Sequence, residues 1–273
     1  MLENDAEARP VLRLSGTGLS FGKRSLWSGL DLDVRSGEFI TVLGSNGSGK
    51  SSLLKTILGL QQLTAGSIEV LGSPVTRGHR RIGYIPQQRL IQAGTPMRGR
   101  DLVALGVDGH LPGMRLLARG RVRAQVDVAI DSVQAASFAN RPMGQLSGGE
   151  QQRLRVAQAL VSDPALLLCD EALISLDLQQ QGAVSRLVDE RRRTHGTPVL
   201  FVTHDINPVL AMTDRVLYLA AGRHRLGSPA EVLRSDVLSD LYDTPVDVAR
   251  VGGRVVVLGA PDDHEPHHLE LGA

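Results

Sequence analysis

Gly44-Ser45-Asn46-Gly47-Ser48-Gly49-Lys50-Ser51 sets three glycines ahead of a lysine and a hydroxyl. Glycines carry no side chain, so backbone N–H groups can close around phosphate oxygens. Lys50 would reach the outer phosphates of a nucleoside triphosphate, and Ser51 would ligate Mg²⁺. A ligand-free glycine turn is the plain alternative. The flanks argue against it: Phe39 to Leu43 leads in as an apolar strand, and Leu53 to Leu60 leads out with helical spacing. The positive end of that helix would face the same anion. Gly44 through Ser51, with the adjoining Ser52, are therefore the candidate nucleotide-binding residues.

A second apolar run, Leu166-Leu167-Leu168-Cys169, ends in Asp170 and Glu171. Such a strand end is often only structural. Beside a phosphate loop it has a use: Asp170 can hold Mg²⁺, and Glu171 can orient or deprotonate an attacking water. Cys169 alternates to the opposite face and reads as a small core residue. A third stretch, Leu146-Ser147-Gly148-Gly149-Glu150-Gln151-Gln152-Arg153, opens a helix. Ser147 and Glu150 have the spacing of a capping box. The cap does not account for two glycines in the first turn, which suit the close approach of an anion.

These residues need strands to aim them and helices to back them. Val11 to Leu14, Phe39 to Leu43, Ser67 to Leu71, Arg81 to Ile85, Ala165 to Asp170, Val199 to Thr203 and Arg215 to Leu219 read as strands. Asp101 to Leu105, Val122 to Ala136 and Leu178 to Arg193 have helical periodicity, with glycine breaks between Gly106 and Gly113. Ser228 to Glu231 is a capping box opening a short helix, and Val246 to Leu258 reads as a hairpin around Gly252-Gly253.

Bulk composition excludes some classes. Net charge is +1 and aromatics are 3%, so neither a basic footprint nor a base-stacking platform supports nucleic-acid binding. One cysteine allows no intrachain disulfide, which fits a reducing compartment. Residues 1–10 are acidic without an apolar run, so no secretory signal is expected. No apolar stretch approaches the ~18 residues of a membrane span. Work at a membrane would thus be peripheral.

Taken in order, the motifs resemble those of ABC-transporter ATPases over nearly all of residues 11–225. Gly44 to Ser51 is similar to the Walker A loop, Asp170 and Glu171 to Walker B and the catalytic carboxylate, and Ser147-Gly148-Gly149-Glu150 to the signature. Phe21 resembles the aromatic that stacks on adenine, usually Tyr in the family. Gln87 stands at the Q-loop glutamine, Asp177 in the D-loop, and His204 at the switch histidine. Core placement would otherwise explain Phe21, a surface turn Gln87, and a structural role His204. Two positions depart from the family: Ala172 replaces the usual proline after the glutamate, and Ser175 the usual alanine of the D-loop. Neither removes a catalytic group, and Ala172 could loosen the loop behind Glu171.

The resemblance implies a P-loop α/β fold: a RecA-like core, an N-terminal antiparallel β subdomain, and a helical insertion over about 95–160. Residues 226–260 would form a C-terminal extension packed on the core, and 1–10 and 261–273 flexible tails. It implies ATP and Mg²⁺ as ligands, with Ser51, Gln87 and Asp170 around the metal, and Glu171, His204 and Gln87 as the catalytic set. Two copies would stack head to tail, each ATP between one Walker A loop and the partner's signature. Integral membrane permease subunits would dock at the cytoplasmic face of the cell membrane, fed by an extracellular or periplasmic solute-binding protein.

The stretches Asp170 to Leu178, Phe201 to Leu210, Thr244 to Val248 and Gly252 to Gly259 look like the zinc, manganese and iron importers of bacteria. Import of another solute is the alternative. An ABC ATPase acting on nucleic acid or ribosomes would need a coiled-coil insertion or a second cassette, and neither is seen. The histidines His79, His110, His195 and His224 read as solvated surface. His264, His267 and His268, among Asp262, Asp263 and Glu265, read as an inert tail rather than a metal sensor.

Overall fold

Strands apolar on both faces must be covered on both faces, and this requirement organises the molecule. The computed structural model describes residues 9–87, 95–108 and 119–259. Its central sheet holds β3 (Phe39–Gly44), β6 (Ile82–Ile85), β7 (Leu166–Asp170), β8 (Val199–Val202), β9 (Arg215–Ala220) and β10 (Arg223–Gly227). The order is β10-β9-β3-β8-β7-β6, parallel except for the edge strand β10.

Alternate residues enter two cores. Ile40, Val42, Leu166, Leu168, Leu200, Val202, Leu217 and Leu219 face one core. Phe39, Leu43, Leu167, Cys169, Val199, Phe201, Val216 and Tyr218 face the other. Phe39 and Phe201 stack there with ring centroids 5.7 Å apart. Each such side chain, when fully buried, contributes on the order of 2 kcal/mol.

A four-stranded antiparallel sheet, order β2-β1-β4-β5, closes the first core. It comprises β1 (Leu12–Phe21), β2 (Arg24–Val34), β4 (Ala65–Val70) and β5 (Ser73–Pro74). Helix α1 (Lys50–Ile57) adds Leu53, Leu54 and Ile57 to that core. Helices α2 (Gly99–Asp108), α3 (Arg119–Ser132), α4 (Gly148–Leu160) and α5 (Leu178–His195) cover the second. So do α6 (Pro229–Val232), α7 (Ser235–Tyr242) and the hairpin β11 (Asp247–Val251) and β12 (Arg254–Leu258), through Leu233, Leu238, Leu241, Val246 and Val255.

Several boundaries differ from the sequence expectation. The strand expected over Val11 to Leu14 runs on to Phe21, and β2, β10 and α7 were not anticipated. Helix α1 stops at Ile57 rather than Leu60, with Gly59 at φ 66° just beyond. Helix α3 ends at Ser132 rather than Ala136, because Gln134 takes a left-handed φ of 55°. His224 is not a solvated residue: it is partly covered on the edge strand. Burial, and then Arg225, lower its pKa against the opposing pull of Asp31. Of the expected flexible tails 1–10 and 261–273, residues 1–8 and 261–273 lie outside the described residues, as do His110 and the tail histidines. No described helix is long and apolar enough to cross a membrane.

Candidate nucleotide site

β3 runs straight into the phosphate loop, and the sheet dictates the loop's glycines. Gly44 has φ 146°, and a Cβ there would lie 2.0 Å from the Leu219 carbonyl oxygen of the neighbouring strand. Gly49, φ 102°, sits on the fully buried Trp27, whose ring would meet a Cβ at 2.8 Å. Gly149, in contrast, would press only on the flexible side chain of Gln180. Gly44→Ala is therefore expected to cost more than about 3 kcal/mol, as backbone clash combined with strain does. Gly149→Ala should change stability by less than about 1 kcal/mol. Thermal or urea unfolding of the two variants measures the contrast.

The loop's polar groups already face inward. Lys50 is buried, and its ammonium donates to the carbonyls of Gly44 at 2.7 Å and Ser45 at 2.9 Å. Burial is the main cause holding its pKa below the usual lysine value, while Glu171 and Asp170 pull the other way. The hydroxyl of Ser48 is buried without a hydrogen-bond partner. A side chain of that kind at the start of α1 suits an incoming phosphate oxygen. Arg24, the first residue of β2, donates to the Gly47 carbonyl at 3.1 Å and so ties the antiparallel sheet to the loop. Phe21, the last residue of β1, is 56% exposed, free to offer a ring face.

β7 delivers the acids. Asp170 is buried; one carboxylate oxygen accepts from Ser51 at 3.0 Å and the other from the Tyr84 hydroxyl at 3.2 Å. Burial and the charge of Asp170 push the Tyr84 pKa up to about 12, so Tyr84 stays a donor at neutral pH. Ser51 and Asp170 are hard oxygen donors, brought together at a helix start, and fit Mg²⁺. Glu171 accepts from Gln87 Nε2 at 2.9 Å. Its backbone N–H is held by the Val202 carbonyl, at a left-handed φ of 46°. A proline at position 172 would push Glu171 towards extended backbone. Ala172, fully buried, accepts the observed turn instead.

A cleft of ≈ 810 Å³ joins Gly44, Ser45, Asn46, Glu171 and the exposed His204, walled on its far side by Val255 to Gly259. Ser147, Gly148 and Gly149 line neither this cleft nor the smaller one beside Arg24. They open α4, with both halves of the capping box formed: Glu150 N–H to Ser147 Oγ at 3.3 Å, and Ser147 N–H to Glu150 at 2.8 Å. Asp177 caps α5, accepting from the Gln180 N–H at 2.8 Å.

One fold thus gathers the loop, both carboxylates, Gln87 and His204, while the signature stands apart. The ABC transporter family matches over residues 27–174, more than half of the chain. The chain belongs to the ABC transporter family. A zinc import ATP-binding protein of Halorhodospira halophila is 34% identical over 94% of this ABC ATPase and 90% of its own length. A metal-chelate type ABC transporter, solved in an inward-facing conformation, superposes with a TM-score of 0.75. It is 27% identical, over 90% of this chain and 95% of the other. A dimeric ATP-binding cassette in a post-hydrolysis state with ADP and Pi gives 0.67 at 26% identity, over 80% and 98%. The ABC ATPase is accordingly an ATP-binding and ATP-hydrolysing subunit. Sequence reasoning missed Tyr84, Arg24 and Trp27; Trp27, the sole tryptophan, was the most visible of the three.

Proposed function

We propose that this subunit powers import of a divalent transition-metal ion, zinc, manganese or iron, from the cytoplasmic face of the membrane. The observation that carries the ATPase chemistry is the pairing of Ser51 with Asp170 and of Gln87 with Glu171 at the mouth of one phosphate loop. Gly44 to Ser52 bind the phosphates, and Lys50 exchanges its two loop carbonyls for phosphate oxygens. Phe21 covers the adenine. Ser51, Asp170 and Gln87 would hold Mg²⁺, which would supply positive charge to offset that of the phosphates. Glu171 orients and deprotonates water, and His204 faces the γ-phosphate across the cleft.

Two copies complete the site, since Ser147 to Glu150 of one chain stand away from its own loop. The signature of each chain contacts the ATP on the other, and Asp177 lies at the seam. Closing this sandwich gives ATP its differential contact with two states, which the permease converts into motion. The domain division follows: an ATPase domain over 11–225 with the helical insertion, and an extension over 226–260. A solute-binding protein delivers the ion from outside.

Cells lacking this chain are expected to lose most high-affinity uptake of one of ⁶⁵Zn, ⁵⁴Mn or ⁵⁵Fe. Wild-type protein should restore it, and Lys50→Ala should not. Normal uptake of all three ions in the deletion strain would refute the metal assignment and leave another solute as cargo.

A further inference from the structure

The loop after β8 carries the exposed His204, just beyond Thr203, whose N–H donates to the Val42 carbonyl of β3 at 3.2 Å. Thr203 folds it back locally: its hydroxyl donates to the Asp205 carbonyl at 2.9 Å and accepts from the Asp205 N–H at 3.2 Å. Asp205 in turn accepts from the backbone and side chain of Asn207, at 2.9 and 2.8 Å. Ile206 and Val209, further along, are buried in the core; the polar tie nearest His204 comes from a distant part of the chain. Asn207 Nδ2 donates to the Val255 carbonyl at 3.0 Å, and its Oδ1 accepts from the Val255 N–H at 2.8 Å. One carboxamide thereby replaces a rung of β-ladder on the outer edge of β12, the inner edge being paired with β11.

The hairpin is itself fixed to the core. Ser235 accepts from the Val248 N–H at 2.9 Å, and Ser239 from the Val246 N–H at 2.9 Å. Both serines belong to α7, whose Tyr242 hydroxyl lies 3.1 Å from that of Tyr218 on β9. Leu238, Leu241, Val246 and Val255 are buried. A continuous path therefore runs from the central sheet through α7, β11 and β12 to Asn207, three residues from His204. Val256, Val257 and Leu258 then form the wall of the cleft opposite Glu171.

We propose that the β11–β12 hairpin positions the hydrolytic machinery, and that Asn207 is the positioning residue through which it fixes the His204 loop. This rests on the role of His204 proposed above. Two of the four stretches that resemble the metal importers, Phe201 to Leu210 and Gly252 to Gly259, are then one structural unit. The C-terminal extension serves the active site rather than merely covering the core.

Two variants cut the contact from opposite sides. Asn207→Leu keeps the volume and loses donor and acceptor. Val255→Pro removes the N–H that points away from β11, a place where an edge strand tolerates proline, and trims part of a buried side chain. Three readouts are taken on full-length protein: kcat and KM for ATP, equilibrium binding of a fluorescent ATP analogue, and hydrogen exchange of the β12 amides. Each variant should lower kcat by about tenfold, short of the hundredfold that an ångström's misplacement can cost. Nucleotide affinity should stay within about twofold, and β12 amides should exchange faster. The double variant should be no slower than Asn207→Leu alone, because that variant has already lost the Val255 contact along with its side-chain bond to Asp205.

His204→Ala is the control. If it hydrolyses ATP at the parent rate, the role of His204 fails, and this proposal fails with it. If His204→Ala is inactive while both contact variants keep parent kcat with β12 released, the hairpin's role alone is overturned. Unchanged exchange of β12 in both variants also overturns it, since the contact then holds nothing.

Discussion

Glu171→Gln is expected to slow ATP hydrolysis by about 10²–10⁴-fold, the range that a positioned general base supplies. Nucleotide binding should stay near the parent's. The geometry favours this outcome because glutamine can still accept the Gln87 hydrogen bond through its own oxygen. The backbone tie from the residue-171 N–H to the Val202 carbonyl is untouched. Ser51, Asp170 and Tyr84 keep their contacts, so the residues proposed to hold Mg²⁺ remain in place. Only the base is lost. Bound ATP then persists, and the closed pair of subunits with it. Light scattering with ATP and Mg²⁺ should show a dimer in the variant and a mostly monomeric parent. A variant that hydrolyses ATP at the parent rate would remove Glu171 from the base role.

Local spacing made the site readable. The phosphate loop, the Asp170-Glu171 pair and the Ser147 cap each need only a few consecutive residues, and each is formed where the sequence put it. The buried strands were readable for a different reason. β3, β7 and β8 are apolar on both faces, which leaves few other structures open to them. β2 and the second half of β1 hid because their pairing slips at Leu14/Thr17, Thr17/Leu19 and Leu19/Ser20. Each slip breaks the period of two on which recognition depends.

The least visible residues act over long sequence distances. Tyr84 meets Asp170 across 86 residues, and Asn207 meets Val255 across 48. No spacing rule joins such pairs; the parallel pairing of β6 with β7 and the docking of the hairpin create them. His224 misled for the same reason. A histidine beside two arginines looks solvated, until the edge strand carries it under cover.

Ser147→Arg is expected to abolish ATP-dependent dimerisation while leaving one-site nucleotide binding intact. Ser147 is exposed and lines neither cleft of its own phosphate loop. Arginine there would fill the place proposed for the partner's γ-phosphate. The substitution also removes a cap, because Ser147 Oγ accepts the Glu150 N–H. Loss of an N-cap costs about 1 kcal/mol, too little to unfold a domain of this size but enough to confuse the reading. Ser147→Asp separates the two effects. Aspartate caps as well as serine does, so α4 should be as stable as in the parent. Its charge would nevertheless oppose the partner's phosphates. Both variants, placed on the Glu171→Gln background that accumulates dimer, should therefore remain monomeric with ATP, and hydrolysis in the parent background should fall by at least about 10². Sizing by light scattering, alongside binding of a fluorescent ATP analogue, gives the answer. Normal dimers from Ser147→Asp would show that the signature does not meet the partner's nucleotide, and the head-to-tail arrangement would have to be abandoned.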